Sequence, residues 1–340
     1  MDDLALGTRT AKGDWTPDRP ASYPEVFVWP PKPVGVGRWL FGFPGYLWPW
    51  NALYLAIAAV VWWVATPSLD RMSSWSVGWV AAILVRNYVL TIGWFGLFHW
   101  RLYRRRSQDQ RFKYAGRWPG RSDAFTFGSQ LRDNVFWSLA SGVPIWTAWE
   151  AVTWWLMANH HIPSISFHDH PVWFVVFFLL IPLYRDVHFY LVHRLIHWPP
   201  LYKAVHSLHH RNTNPGPWSG LSMHPVEHLL YFSAVAIHWI VPSHPAHVLF
   251  ELVHLGMAPA PGHTGYERIE LGGGAFVETG GYAHYLHHKY FEVNYADGTI
   301  PLDRWFGSFH DGTPESAERM KARKRARAVA RRAALVNSEG

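Results

Sequence analysis

Three short histidine words, all within a hundred residues of one another, constrain this chain more than any other feature. They read His193-Arg-Leu-Ile-His197, His206-Ser-Leu-His209-His210 and His284-Tyr-Leu-His287-His288. Residues at i, i+3 and i+4 share one face of an α-helix, with Cβ atoms about 5–6 Å apart. Each word therefore aims two or three imidazoles at a common point. Eight such imidazoles, interleaved with membrane-length apolar segments, read as a buried polynuclear metal site. Imidazole is a neutral ligand of middling softness that suits Zn, Cu, Fe or Ni. Eight exceed the roughly three to six that one ion takes, so a pair of ions is the natural count. Structural zinc favours four ligands rich in Cys, and the chain has no cysteine. A porphyrin uses one or two axial histidines and leaves the others unexplained.

Words flanking the clusters extend the pattern. Asp186 and Tyr190 precede the first, His224-Pro225-Val226-Glu227 stands in the middle, and Asn294-Tyr295 with Asp303-Arg304-Trp305-Phe306-Gly307 follow the last. Together these residues resemble the membrane-bound di-iron fatty acid hydroxylase/sterol desaturase superfamily, from about Tyr184 to Phe309. The nearest likeness is to the C5 sterol desaturase branch, through the His-Pro-x-acid block and the Asn-Tyr ending. Ala296 stands where members carry Gly after Asn-Tyr, and Leu302 where they carry Trp before Asp-Arg. Both departures lie outside the metal clusters and bear on the substrate rather than the metal. The resemblance implies two Fe as cofactor and O2 as co-substrate, taking hydrogen from an unactivated C–H bond to leave a hydroxyl or a double bond. It implies a lipid substrate from the bilayer, with a sterol ahead of fatty acyl, ether-lipid or carotenoid alternatives. It also implies an external electron donor, a cytochrome b5 or a ferredoxin with its reductase. The basic segment Arg101–Arg121, with Arg104–Arg106, reads either as a landing site for an acidic donor or as a membrane anchor.

The metal ligands are expected at His193, His197, His206, His209, His210, His284, His287 and His288. A metal-bound histidine commonly donates its second N–H to a carboxylate. Asp186, seven residues before His193 and on its face, is the candidate for that role, and Glu227 is a second. His188 lies about 140° from His193 around a regular helix, and reads either as a ligand or as a packed helix histidine. His224 occupies an N-cap position ahead of Pro225 and reads as a ligand or an outer donor; His228, one turn on, is the weaker case. His263, in Gly262-His263-Thr264-Gly265, resembles a His-x-Gly of the family and reads as an extra ligand or a loop histidine. The remaining histidines lack a partner at metal spacing and read as structural.

The whole chain sets the frame for this site. It has 340 residues, 49% of them apolar and 17% aromatic, with 22 tryptophans, and Trp favours membrane–water interfaces. Mean hydropathy is nonetheless near zero, which points to a few spans carrying a polar cap. A crossing helix needs about 20 apolar residues. Four stretches meet that reading: about Leu47–Ala65, Val77–Phe98 with Arg86, Val135–Met157 with Glu150, and Val172–Leu195 with Arg185 and Asp186. The runs His228–Val241 and Pro245–Leu255 read as a re-entrant hairpin broken at Pro242-Ser243-His244-Pro245. Arg101–Arg121 holds eight Lys and Arg while 158–170 holds none, so both termini and the three clusters are expected in the cytoplasm. The fold expected is thus an all-α, multi-pass integral membrane protein of four spans with a cytoplasmic helical cap. Residues 1–38 read as a flexible Pro-rich lead without a secretory signal, 39–310 as the di-iron domain, and 311–340 as a basic tail. The net charge of +7 follows from the positive-inside bias and the tail, and nucleic acid is set aside as a partner. A metal-binding or transporting membrane protein is the competing class. It calls for ionisable residues along a path through the spans, where Arg86 and Glu150 alone stand.

Overall fold

Runs of Leu, Val, Ile, Phe and Trp without a polar stripe leave a helix apolar on all sides, which suits lipid rather than water. Three helices here are long and apolar enough to cross a membrane: Leu47–Ala65, Val77–Arg104 and Pro171–Ile196. The computed structural model describes residues 2–338 other than Val28 and Asp297, and side chains other than those of Glu25, Arg327 and 330–338. We label the main helices α1 (Ala52–Ala65), α2 (Val77–His99), α3 (Gln130–Trp137), α4 (Val143–Ala158), α5 (Pro171–Ile196), α6 (Pro225–Phe232), α7 (Pro245–Met257), α8 (Tyr282–Tyr290) and α9 (Pro314–Ser338). Val60, Trp63 and Val64 of α1, Val85 and Val89 of α2, and Val172 and Val175 of α5 point outward and exposed. Apolar faces of that extent mark contact with a membrane. Trp48 and Trp63, Trp75 and Trp100, and Trp173 and Trp198 bracket the three spans, as interfacial aromatic belts do. The protein is an integral membrane protein.

The stretch expected as a further span, 135–157, is built differently. It comprises the end of α3, a π turn over Ser138–Gly142, and α4. Ser138, Ser141, Thr147, Glu150 and Thr153 are buried in it. Its inward face is therefore polar, and it does not join the helices that qualify as spans by length and composition. Glu150 pairs with Arg86 of α2. Asn87 donates to Glu150 Oε2 at 3.1 Å and to Thr147 Oγ1 at 3.2 Å, and the Trp154 indole donates to Glu150 Oε1 at 2.9 Å. The two charges that the sequence places inside the bundle thus satisfy each other.

The expected hairpin is present and reaches deep. It descends through α6 and a 3-10 segment, Ser233–Trp239, and returns through α7. Its turn meets the loop between α4 and α5: Ile165 N–H donates to the Ser243 carbonyl at 3.2 Å, and the Trp173 indole donates to the Pro242 carbonyl at 2.9 Å. Every α7 residue from His247 to Met257 is buried. Gly256 is required there, since a β-carbon would run into the Trp146 ring of α4.

At the other end, α2 and α5 run into one cap. The Tyr103 hydroxyl, just past α2, donates to the carbonyls of Thr264 at 2.6 Å and Pro215 at 3.0 Å. A hairpin of β1 (Gly7–Arg9) and β2 (Trp15–Pro17) packs on this cap, so part of the stretch read as a flexible lead is fixed. The anchor is Trp15, whose ring is buried against Phe112 and Tyr114 and whose N–H donates to the Tyr114 carbonyl at 2.9 Å. The basic tail begins α9, with Met320 buried and Arg323 donating to the Glu292 carbonyl at 3.2 Å.

Removing one member of a buried ion pair leaves the other charge unpaired in a poor solvent, at a cost of about 3–5 kcal/mol. Glu150→Ala should therefore lower the unfolding midpoint in detergent sharply. Glu150→Gln, which keeps the shape and part of the hydrogen bonding, should lower it less; equal midpoints for both would show that the charge pair is not what matters.

Candidate metal centre

The first histidine word sits where sequence spacing places it, at the end of α5, with His193 one turn inside and His197 as the C-cap. The third lies along α8. The second is not on a regular α-helix. It follows a π turn, Tyr202–His206, and then a 3-10 turn, His209–Arg211. His206 and His210 turn to one side and His209 to the other.

The chain brings nine imidazoles into two groups. One contains His193, His197, His206, His210 and His287, the other His209, His263, His284 and His288. His263, at the end of a one-turn helix Pro259–Gly262, joins the eight of the three words. In the first group the Nε2 atoms stand 3.1 Å apart for His193 and His206, 3.2 Å for His197 with both His287 and His210, and 3.0 Å for His287 and His210. In the second they stand 2.8 Å apart for His284 and His263, 3.4 Å for His288 and His263, and 3.1 Å for His288 and His284. Ligand nitrogens about 2.05 Å from one ion, at octahedral to tetrahedral angles, stand about 2.9–3.4 Å from each other. The observed spacings are the edges of such polyhedra.

Protonation supports that reading. A carbonyl oxygen only accepts, so a ring nitrogen bonded to one carries the proton and leaves Nε2 as a bare lone pair. His193 Nδ1 donates to the Tyr295 carbonyl at 2.7 Å and His287 Nδ1 to that of Val293 at 2.6 Å. His263 Nδ1 donates to the Pro259 carbonyl at 2.8 Å and His209 Nδ1 to that of Ser222 at 3.3 Å. Burial, reinforced by neighbouring imidazoles, holds His206, His210, His284, His287 and His288 well below the ordinary histidine range. Burial likewise lowers His209 to about 4. All are neutral at physiological pH, with lone pairs turned on one another. A cation between them removes that repulsion, and the donor set of neutral nitrogens fits one in each group.

Glu227 lies beside one of the facing imidazoles: its Oε1 is 2.8 Å from His206 Nδ1. Burial pushes the carboxyl well above its usual range. A dication on the far nitrogen of His206 would favour the carboxylate and with it a more basic imidazole. Asp186 does not take the role expected of it. Its Oδ2 accepts from the Thr299 N–H, and Gly298 leaves room for its carboxyl. The partner of His193 is instead the Tyr295 carbonyl. Asp303 fixes that carbonyl by accepting from the N–H groups of Tyr295 at 2.9 Å and Ala296 at 2.6 Å. The Asn-Tyr and Asp-Arg words, with their Ala296 and Leu302 departures, are therefore scaffolding beneath a ligand.

His188 and His224 lie outside both groups. His188 faces Ser233 Oγ at 3.0 Å, as its 140° offset from His193 dictates. His224 is the N-cap of α6, where its Nδ1 accepts from the Val226 N–H at 3.2 Å. His228 is held between Ser141 Oγ at 2.9 Å and the Leu221 carbonyl at 3.1 Å. The carbonyls of Tyr295, Val293, Pro259 and Ser222 were not legible, because any residue supplies one; only His263, through its His-x-Gly, had a signal.

Comparison with known proteins agrees with this geometry. Residues 177–308 match the model of the fatty acid hydroxylase family. The Delta(7)-sterol 5(6)-desaturase of Gibberella zeae is 30% identical over 146 residues, 42% of this chain and 44% of that protein. Those of Saccharomyces cerevisiae and Candida glabrata are 30% identical over 175 residues (50% of this chain, 47% of that protein) and 32% over 129 (37% and 34%). The chain thus spans less than half the length of these relatives. No solved structure matches. Residues 177–308, which carry all nine facing imidazoles, are thus the part of the chain that matches the fatty acid hydroxylase family, and the chain is similar to Delta(7)-sterol 5(6)-desaturases.

Proposed function

We propose that this protein is an O2-dependent, membrane di-iron oxidoreductase that hydroxylates or desaturates an unactivated C–H site of a lipid, with a sterol as the first choice. The observation that carries this reading is the pair of Nε2 clusters at coordination spacing. His193, His197, His206, His210 and His287 would hold one iron, and His209, His263, His284 and His288 the other. The two irons would supply O2 reduction and hydrogen abstraction. Desaturation balances as R–CH2–CH2–R + O2 + 2 e− + 2 H+ → R–CH=CH–R + 2 H2O, and hydroxylation as R–H + O2 + 2 e− + 2 H+ → R–OH + H2O.

The residues of the chain do the rest. Four backbone carbonyls fix the tautomers of His193, His209, His263 and His287, and Glu227 orients His206. Eight of the nine imidazoles are no more than 3% exposed, which excludes bulk water. Leu191, Leu195 and Trp198 are exposed beside His193 and His197, so this end of α5 meets lipid next to the site. That position suits an apolar substrate sliding in from the bilayer. The sterol choice is supported by the names of the relatives above. A cytoplasmic cap is supported by the Lys and Arg of 101–121 against none in 158–170. A fourth crossing by α3 and α4 is supported by the contact of the loop after α4 with the far turn of the hairpin.

Purified protein should contain two irons per chain and show no thiolate absorption. Alanine at any of the nine histidines should empty at least one site without preventing membrane insertion, whereas His188→Ala and His224→Ala should retain both irons. Glu227→Gln should weaken metal affinity by roughly 10–100-fold. A single four-coordinate zinc with idle histidines elsewhere would end the di-iron reading. Reporter fusions after Ser68 and Pro163 should map to the far side, and those after Ser107 and at Gly340, which lies outside the described residues, to the cytoplasm. A far-side carboxyl terminus would reverse the orientation. Reduced enzyme given O2 with a sterol panel and a fatty-acyl panel should modify the sterols. Oxidation of acyl chains or carotenoids alone would reassign the substrate and leave the mechanism standing.

A further inference from the structure

A cavity of about 270 Å3 opens on the outer surface of the cap. Three exposed cations, Lys12, Arg117 and Lys289, surround it. Its one carboxylate, Asp14, is turned inward, with Oδ1 accepting from the Gly116 N–H at 2.8 Å. The floor is Ala115 and the ring of Tyr285. Tyr285 follows His284 directly and shares α8 with His287 and His288, so one residue separates this cationic surface from the ligands of both groups. Its ring stacks on Tyr114 at 4.8 Å, and Lys289 lies 5.9 Å over it.

Five of the seven other cations of 101–121 are committed locally. Arg101 binds the Glu270 carbonyl, Arg105 lies over Trp100 at 4.9 Å, Arg106 over Trp118 at 4.2 Å, and Arg111 pairs with Glu270 at 2.5 Å. Lys113 is buried, with its ammonium on the carbonyls of Ala115 and Arg117 and on Asn214 Oδ1. Arg117 is the member of the segment that lines the cavity. Meanwhile the site is buried, and a chain without cysteine forms no iron–sulfur relay of its own, so electrons must cross the cap.

We propose that the Lys12–Arg117–Lys289 cavity is the docking site of an acidic one-electron carrier protein, with Tyr285 as the bridge from the docked cofactor to the ligands on α8. The proposal rests on the oxidoreductase reading above. At each docking the carrier's cofactor is oxidised by one electron and the metal centre reduced by one. Two dockings supply the two electrons of a turnover.

The test compares wild type with the triple variant Lys12→Glu/Arg117→Glu/Lys289→Glu, using the soluble domain of an acidic cytochrome b5 as the carrier. Electrostatic steering changes association rates by about 10- to 1,000-fold. The variant should lose at least about tenfold in the second-order rate of reduction at low ionic strength and should lose the salt dependence that wild type shows. Carbodiimide cross-linking to the carrier, carried out with and without iron, should fall in parallel, while reduction by a small neutral reductant stays the same. The iron-free arm reads the surface even if the di-iron assignment fails, so the two failures are distinguishable. Unchanged carrier binding and salt slope in the triple variant would overturn the proposal. So would a loss confined to Arg104→Glu/Arg106→Glu, or weaker binding to phosphatidylserine vesicles with carrier binding intact, which would assign the surface to the membrane.

Discussion

Neutral imidazoles that turn their lone pairs on one another at about 3 Å repel unless a cation stands between them, and eight do so here, with His209 as a ninth close by. The surrounding structure is arranged to hold that otherwise unfavourable geometry. Backbone carbonyls grip the outer nitrogens of four rings, and a buried carboxyl grips a fifth. Such grips stay effective only if the carbonyls themselves are immobile. Asp303 therefore clamps the backbone at Tyr295 and Ala296, and Asn294 ties it to the carbonyls of Ala283 and His310.

The bundle provides the same rigidity from below. α5 delivers His193 and His197 from a span whose outer face is apolar, and the deep hairpin delivers Glu227 from the opposite wall. Inside, polarity is kept to closed sets such as Arg86, Asn87, Thr147, Glu150 and Trp154, where every charge has its counterpart. Charge is thus allowed at membrane depth where it is neutralised, and the cationic surface is left to the cap.

Much of this could be read before any coordinates. The first and third words contribute five of the imidazoles that the structure brings face to face, and the block containing Glu227 puts a carboxyl beside His206. What spacing could not convey was that within each HX2HH word the i and i+4 imidazoles share one group while the i+3 imidazole joins the other. Helix-face reasoning also favoured Asp186 for His193. It has no means of representing a carbonyl brought in from a loop more than a hundred residues away. In the stretch 135–157 the serines, threonines and Glu150 are diluted among aromatic residues, and only packing reveals that they turn inward. In the N-terminal lead the hairpin of β1 and β2 is held on the cap by Trp15, with Asp3 and Arg9.

α8 serves both groups from a single face. His284, His287 and His288 fall at i, i+3 and i+4, within about 100° around the helix, yet His287 joins one group and His284 and His288 the other. One short, rigid helix therefore belongs to both halves of the arrangement, and whatever shifts it is felt by both at once. Two of its other residues, the buried Tyr285 and the exposed Lys289, line the cavity on the outer surface.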